Sequence, residues 1–208
     1  SKGVSTMIKN IILDVGRVLV HWDPVAGLRS LGYDEKTVNA VNDGIVESGL
    51  WDLEDEGKLS GEEILRTFID AMPEYKTAIT DFWNNLDKSI WAYEDSCDWI
   101  KRMKAAGFNV YILSNYGEET YRQTRESAMA FLDLVDGVIF SYKYQLIKPH
   151  AEIYEKLFEV CGLERSECVF IDDRKVNIDA AISAGMSGIV YENRRQAEEE
   201  LAKLGVRF

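Results

Sequence analysis

Three branched apolar residues, Ile11, Ile12 and Leu13, end in Asp14 and are followed two residues later by Gly16; no other stretch constrains this chain as much. A run this short, rich in β-branching and bounded by polar residues, predicts a buried parallel strand rather than a helix. In open α/β sheets, ligands bind in the crevice beyond the carboxyl ends of such strands. That places Asp14 where chemistry is done. A lone Asp after a strand also suits a simple turn, so the rest of the chain has to decide between the two readings.

From residue 24 to about 90 the sequence changes character and reads as helical throughout, with no convincing strand. Val38, Val41 and Ile45 recur at helical spacing. Ser60 and Glu63 form a capping box ahead of Ile64, Leu65, Phe68, Ile69 and Met72, and Pro73 ends that helix. Ile79, Phe82, Trp83 and Leu86 mark another. Beyond this insertion, strand and helix patterns alternate: a helix through Trp99, Ile100 and Met103, a strand from Asn109 to Leu113, and a helix through Tyr121, Thr124 and Ala128. A strand from Gly137 to Phe140, a helix through Ile153, Leu157 and Phe158, and a strand from Cys168 to Ile171 follow. A helix from about Asn177 to Ala184, a strand from Gly188 to Tyr191 and a helix from Asn193 to Leu204 complete the series. Such alternation predicts an α/β fold, a Rossmann-like parallel sheet core with helices on both faces, interrupted by a helical insertion.

A net charge of -12 over 208 residues argues against a nucleic-acid backbone as ligand. An anionic small molecule would need a local cation. No apolar run is long enough to span a bilayer, and the opening SKGVST lacks the basic start and apolar centre of a secretory signal. Three scattered cysteines in no C-x-x-C pattern suit reduced thiols in a cytoplasm. With only His21 and His150 available, a His-rich transition-metal site is excluded, whereas an oxygen site for a hard cation is open.

Three predicted strands end in polar residues: Asp14, the pair Ser114 and Asn115, and the pair Asp172 and Asp173. Lys148 lies just ahead of a helix. Parallel strands deliver their carboxyl ends to one edge, so these groups can share a crevice. Three carboxylates need neutralising there, since like charges raise one another's pKa. A magnesium ion does this with carboxylate and carbonyl oxygens while keeping positions open for substrate phosphate. Lys148 adds positive charge, and Ser114 and Asn115 add donors. This is the composition of a phosphoryl site with a carboxylate nucleophile.

Asp14, Ser114, Lys148 and the Asp172/Asp173 pair stand in the order of the four motifs of the haloacid dehalogenase-like (HAD) superfamily, which the chain resembles over nearly its whole length. The resemblance implies a core of residues 1-22 and 90-208 and a helical cap of residues 23-89. It implies a Mg2+-dependent phosphatase acting on a small phosphorylated metabolite. Asp14 would attack phosphorus, and water would hydrolyse the aspartyl-phosphate. The Asp14 carboxylate, the Gly16 carbonyl and Asp173 would hold the metal, with Asp172 as a ligand or behind one. Ser114, Asn115 and Lys148 would hold substrate phosphoryl oxygens.

The first motif departs from the usual D-x-D. Its second Asp, the general acid and base of most HAD phosphatases, is Gly16 here. Losing general acid–base help costs about a hundredfold to ten-thousandfold, most of it on poor leaving groups. The anomeric oxygen of a sugar 1-phosphate tolerates the loss best, and D-x-G versions resemble a sugar-phosphatase branch that includes a glucose 1-phosphatase. His21, Asp23 and Tyr116 lie on segments that could reach the crevice, though each reads first as structural. Arg17 reads equally as a substrate contact or a surface ion pair. Asn177 reads as orienting Asp173 or, second, as capping its helix, Glu56 and Gly57 as a turn or specificity loop, and Trp51, Trp83 and Trp91 as packing. A 2-haloacid dehalogenase shares Asp14, Ser114 and Lys148 but has no use for the acidic pair. A phosphorelay receiver carries its acidic pair first rather than last. A HAD fold that lost turnover and only binds a phosphometabolite or a protein is the remaining alternative.

Overall fold

The computed structural model describes residues 6–208, so all of the SKGVST start except Thr6 lies outside the described residues. The path begins with β1 (Asn10–Leu13) and β2 (Val20–Trp22). Five helices follow: α1 (Pro24–Ser30), α2 (Glu35–Val41), α3 (Asp52–Glu56), α4 (Gly61–Ala71) and α5 (Lys76–Asn84). The chain returns through β3 (Ile90–Ala92), α6 (Ser96–Ala105), β4 (Asn109–Ser114), α7 (Glu118–Ala128) and β5 (Gly137–Phe140). It ends with α8 (Ser141–Tyr144), α9 (Ala151–Cys161), β6 (Cys168–Asp172), α10 (Lys175–Ser183), β7 (Ser187–Val190) and α11 (Arg194–Lys203).

Five strands pair in parallel in the order β5-β4-β1-β6-β7, with Ile12 opposite both Tyr111 and Phe170. The central β1 is buried along its whole length. Its side chains alternate between two cores: Ile11 and Leu13 pack with Trp99, Ile100, Met103 and Phe131, whereas Ile12 packs with Ile153, Leu157, Phe158 and Ile178. Burial on both faces is why the strand reads as an unbroken apolar run. Neighbours β4 and β6 follow the same rule, and the chain leaves β1 between them, at the point where strand order reverses. This is the crevice position expected for a ligand site.

Helices α1–α5 enclose a third apolar cluster of their own, built on Leu28, Val41, Ile45, Trp51, Phe68, Ile79, Phe82 and Leu86. Each such side chain contributes about 1.5–3 kcal/mol on full burial. The capping box forms as the spacing predicts: Glu63 N donates to Ser60 Oγ (3.2 Å), and Ser60 Oγ donates to the Glu63 carboxylate (3.1 Å).

Two features depart from the sequence reading. The stretch up to residue 90 ends in a strand: β3 pairs antiparallel with β2, Trp22 opposite Ile90 and His21 opposite Trp91. Strands of three residues are too short for alternation to declare them. The helix read through Val38, Val41 and Ile45 also does not continue as α. Over Asn42–Glu47 it widens to a π-helical turn, with Ser48 N donating to the Asp43 carbonyl at 3.0 Å. Such turns often mark functional sites, and Val46 and Glu47 at its end, with Gly49 beyond it, line a cavity described below. None of the described helices is long and apolar enough to cross a membrane.

Candidate active site

The β1 ladder carries one residue past the strand: Asp14 N donates to the Ile171 carbonyl at 3.0 Å. That places the Asp14 side chain at the carboxyl edge beside β6, which itself ends in Asp172 and runs into Asp173. Carboxylate oxygens of Asp14, Asp172 and Asp173 lie within 4.8 Å of one another. Between Asp14 and Asp172 sits the buried ammonium of Lys148, delivered by the segment joining α8 to α9. Its Nζ is 3.0 Å from Asp14 Oδ1 and 2.8 Å from Asp172 Oδ2, and it donates to the Leu113 carbonyl at 3.3 Å. The three N–H bonds of the ammonium are therefore all engaged.

The three acids differ in surroundings. Asp172 is wholly buried and receives Lys148, the Asn177 amide (3.1 Å) and Arg174 N (2.8 Å). Burial opposes its ionisation, but Lys148 and these hydrogen bonds win and hold its carboxyl below the usual range. Asp14 is pushed up to about 7, first by burial and then by the Asp172 charge, with Lys148 pulling against both. Asp173 is raised by burial and then by Asp172. Arg17 stands 4.0 Å from Asp173, half exposed. Its backbone holds a left-handed φ of 64° within a tight turn in which Arg17 N donates to the Val20 carbonyl. A non-glycine residue in that region stores about 1–3 kcal/mol.

These groups open onto a cavity of about 360 Å³ between the sheet edge and the stretch from Val46 to Asp55 of the helical insertion. Asp14, Gly16, Arg17, Ser114, Asn115, Lys148 and Asp173 line it from the core, and Trp22, Trp51, Asp52 and Asp55 face them. Ser114 closes β4 and is buried, with no hydrogen-bond partner for its hydroxyl among the described residues. Asn115 lies in the same wall, but its amide clamps the Lys148 backbone, accepting from Lys148 N at 2.8 Å and donating to the Lys148 carbonyl at 3.1 Å. Asn177 bonds Asp172 rather than Asp173 and does not cap α10, which starts two residues earlier. Nothing steric demands glycine at position 16: a Cβ there would meet only Trp22 Cβ, at 3.7 Å.

The remaining sequence candidates are occupied elsewhere. His21 stacks on Trp91 and lies against Tyr93, and Asp23 accepts from Ala26 N as the cap of α1. Tyr116 borders the cavity, but its hydroxyl is 2.5 Å from Thr124 Oγ1, and burial raises its pKa further. Trp51 and Trp83 are packed with Phe68, whereas Trp91 is exposed. Trp22, Asp52, Glu54 and Asp55 escaped sequence reasoning. The acidic run from Asp52 to Glu56 looks like a solvated face, and only the three-residue spacing of Asp52 and Asp55 hinted at a shared surface.

Helix α3 is fastened to the core on either side of Asp55. Glu54 is buried against the start of α7, where its carboxylate accepts from Thr120 N (3.0 Å) and Thr120 Oγ1 (3.2 Å). Ser141 Oγ donates to the Asp55 carbonyl at 2.6 Å. Gly57, at φ 68°, ends the helix against the Tyr142 backbone, where a Cβ would approach to 2.5 Å. The Glu56–Gly57 turn is thus a docking point. Burial lifts the Glu54 carboxyl to about 7, against the pull of its Thr120 hydrogen bonds. A raised acid supports the fold below its free value and loses that support as pH climbs through the folded one. The Glu54 contribution should therefore fade between about pH 4.5 and about 7. Glu54→Gln should flatten that part of the pH dependence, read as melting temperature against pH for both proteins.

The model of the haloacid dehalogenase-like hydrolases matches residues 36–185. A sesquiterpene phosphatase of Aspergillus oryzae is 24% identical over 184 residues, covering 88% of this chain and 90% of its own. A HAD-like family hydrolase from Porphyromonas gingivalis superposes with a TM-score of 0.77 at 20% identity, over 98% of this chain and all of the other. A HAD family enzyme from Bacteroides thetaiotaomicron, solved with magnesium and inorganic phosphate, gives 0.72 at 21% identity, over 89% and 94% of the two chains. With a family model spanning more than half of its length, the chain belongs to the haloacid dehalogenase-like hydrolase family.

Proposed function

We propose that the protein is a magnesium-dependent phosphatase that hydrolyses small phosphorylated metabolites through an aspartyl-phosphate on Asp14. The observation that carries this reading is a cluster of three carboxylates, two of them on one buried ammonium, at the edge of an open cavity. One ammonium leaves the acids under-neutralised. Hard oxygen donors this close suit magnesium, with the Gly16 carbonyl as a further ligand. Asp14 and Asp173 would bind it directly, while Asp172, engaged by Lys148, Arg174 N and Asn177, would hold Lys148 in place from behind. The bound ion would screen Asp14 from the phosphate it attacks. The phosphatase activity of the Aspergillus relative and the magnesium and phosphate of the Bacteroides enzyme support the same chemistry.

In this reading residues 1-22 and 90-208 form the catalytic core and residues 23-89 the cap. Asp14 attacks in line, Ser114 donates to a phosphoryl oxygen, and Lys148 stabilises charge on Asp14 and its adduct. Asn115 fixes the Lys148 backbone and keeps one amide N–H for substrate. Carboxylate attack on a halogenated carbon needs no cation, so the acidic pair favours phosphate over a 2-haloacid. With no side chain at Gly16, sugar 1-phosphates are the first substrates to test, because an anomeric leaving group needs least protonation.

Phosphate release from a panel of 1- and 6-phosphates, with magnesium and with EDTA, tests this. EDTA should abolish turnover. Asp173→Ala should raise the half-saturating magnesium concentration at least about tenfold. Halide release from 2-haloacids in EDTA without phosphatase activity would overturn the reading.

A further inference from the structure

In-line attack on a phosphate monoester leaves an alkoxide unless a proton reaches the departing oxygen, and the usual donor position is Gly16. The cavity restricts the substitutes. The Lys148 N–H bonds are all engaged, Asp172 is held by Lys148, Asn177 and Arg174 N, and the Tyr116 hydroxyl is tied to Thr124. The Arg17 guanidinium stands beside Asp173, at 4.0 Å. Glu47, Asp52 and Asp55 remain, the last two one helical turn apart on α3. Glu47 and Asp52 are exposed, whereas Asp55 is recessed. Among the described residues the Asp55 carboxylate has no hydrogen-bond or ion-pair partner, although it lines the cavity that holds Asp14. Its backbone is pinned by Ser141, and its neighbour Glu54 is locked into α7. A free carboxyl on an anchored backbone, across the cavity from the nucleophile, is placed for a leaving group rather than for the fold.

We propose that Asp55 is the acid–base residue of this phosphatase, supplied by the helical insertion in place of the side chain missing at Gly16. The inference rests on the phosphatase reading and deepens it. As Asp14 Oδ bonds to phosphorus and the P–O bond to the leaving group breaks, the electron pair stays on the leaving oxygen. The Asp55 carboxyl gives that oxygen its proton, and the alcohol departs. The Asp55 carboxylate then takes a proton from water, whose oxygen bonds to phosphorus. The bond to Asp14 breaks, phosphate leaves, and both residues return to their starting states. A donor must be protonated before the reaction. Burial, then the charges of Asp52 and Glu54 on its own helix, raise the Asp55 carboxyl well above the ordinary value, with Asp14 adding to this and Lys148 opposing it. An acid here widens the substrate range to ordinary alcohol phosphates and flattens the advantage of sugar 1-phosphates.

First-turnover rates of the full chain with magnesium test the proposal on two substrates of similar size, benzyl phosphate and p-nitrophenyl phosphate. Nitrophenolate leaves without a proton, whereas benzyl alcohol does not. In Asp55→Asn and Asp55→Ser, rates per folded protein should fall about 10²–10⁴-fold for benzyl phosphate. The nitrophenolate burst should stay within a few-fold of the parent, followed by accumulation of phosphoenzyme because the base for the second step is gone. Equal losses on both substrates, or none on benzyl phosphate, would overturn the role of Asp55. Failure of the unmutated chain to exceed Asp14→Asn on p-nitrophenyl phosphate would instead overturn the phosphatase reading, and the Asp55 role with it.

Discussion

Asp14→Asn should lower magnesium-supported phosphate release by about 10⁴–10⁶-fold, the scale on which enzymes lose turnover when a nucleophile is removed. The amide matches the carboxylate in shape, can still accept from Val15 N, and leaves the β1–β6 ladder intact. It cannot form the acyl-phosphate. The same change should raise the melting temperature of the metal-free protein at neutral pH. Burial and the Asp172 charge outweigh the attraction of Lys148 and lift Asp14 to about 7. A raised carboxyl costs stability as pH rises through that value, and Asn carries no such cost. Opposite movements of activity and stability are the signature of a charge kept for chemistry. Phosphate release and a melt on the same preparation check both. An unchanged rate would remove Asp14 from the mechanism.

The sequence made the core legible because buried parallel strands announce themselves. NIIL, VYIL and CVFI are apolar runs that stop at polar residues, and topology alone gathers those ends on one edge. Asp14, Ser114 and the Asp172/Asp173 pair could be placed together on that ground. Lys148 is legible only as a cation just ahead of a helix: nothing in IKPHAEIY says that its ammonium is buried. Side-chain amides were harder still. The pattern places Asn115 on substrate without showing that its amide also holds the Lys148 backbone, and places Asn177 on Asp173, whereas it bonds Asp172. Both have short reach and several candidate partners, so their role is set by tertiary distances of about an ångström. The insertion was read as helical from periodicity, but its contribution to the cavity was invisible. Asp52, Glu54 and Asp55 look like a solvated acidic run until α7 is seen to bury the middle one.

Lys148→Met should be the most damaging substitution in the protein, on stability as well as on rate. The lysine is almost fully buried between Asp14 and Asp172, and Asp172 has no exposed surface. Burial disfavours the ammonium, yet the two carboxylates overcome this and raise its pKa. Its folded value therefore exceeds the unfolded one, and its contribution is complete at every pH below the ordinary lysine range, fading only above it. Methionine fills similar volume without the charge, leaving two buried carboxylates facing each other. Breaking such a cluster costs about 3–5 kcal/mol, enough to unfold much of a marginally stable protein. The native variant can escape only by binding protons on Asp14 and Asp172. Bound protons then exceed those of the unfolded chain, so stability must rise as pH falls from neutral into the carboxylate range. Denaturant melts of metal-free protein at neutral and mildly acidic pH read this directly. A variant equally stable at both, and close to the parent, would mean that the acids do not depend on Lys148. Magnesium should recover part of the stability by replacing the lost charge, but not the turnover, because the cation that steadies Asp14 and its phosphoryl adduct stays absent.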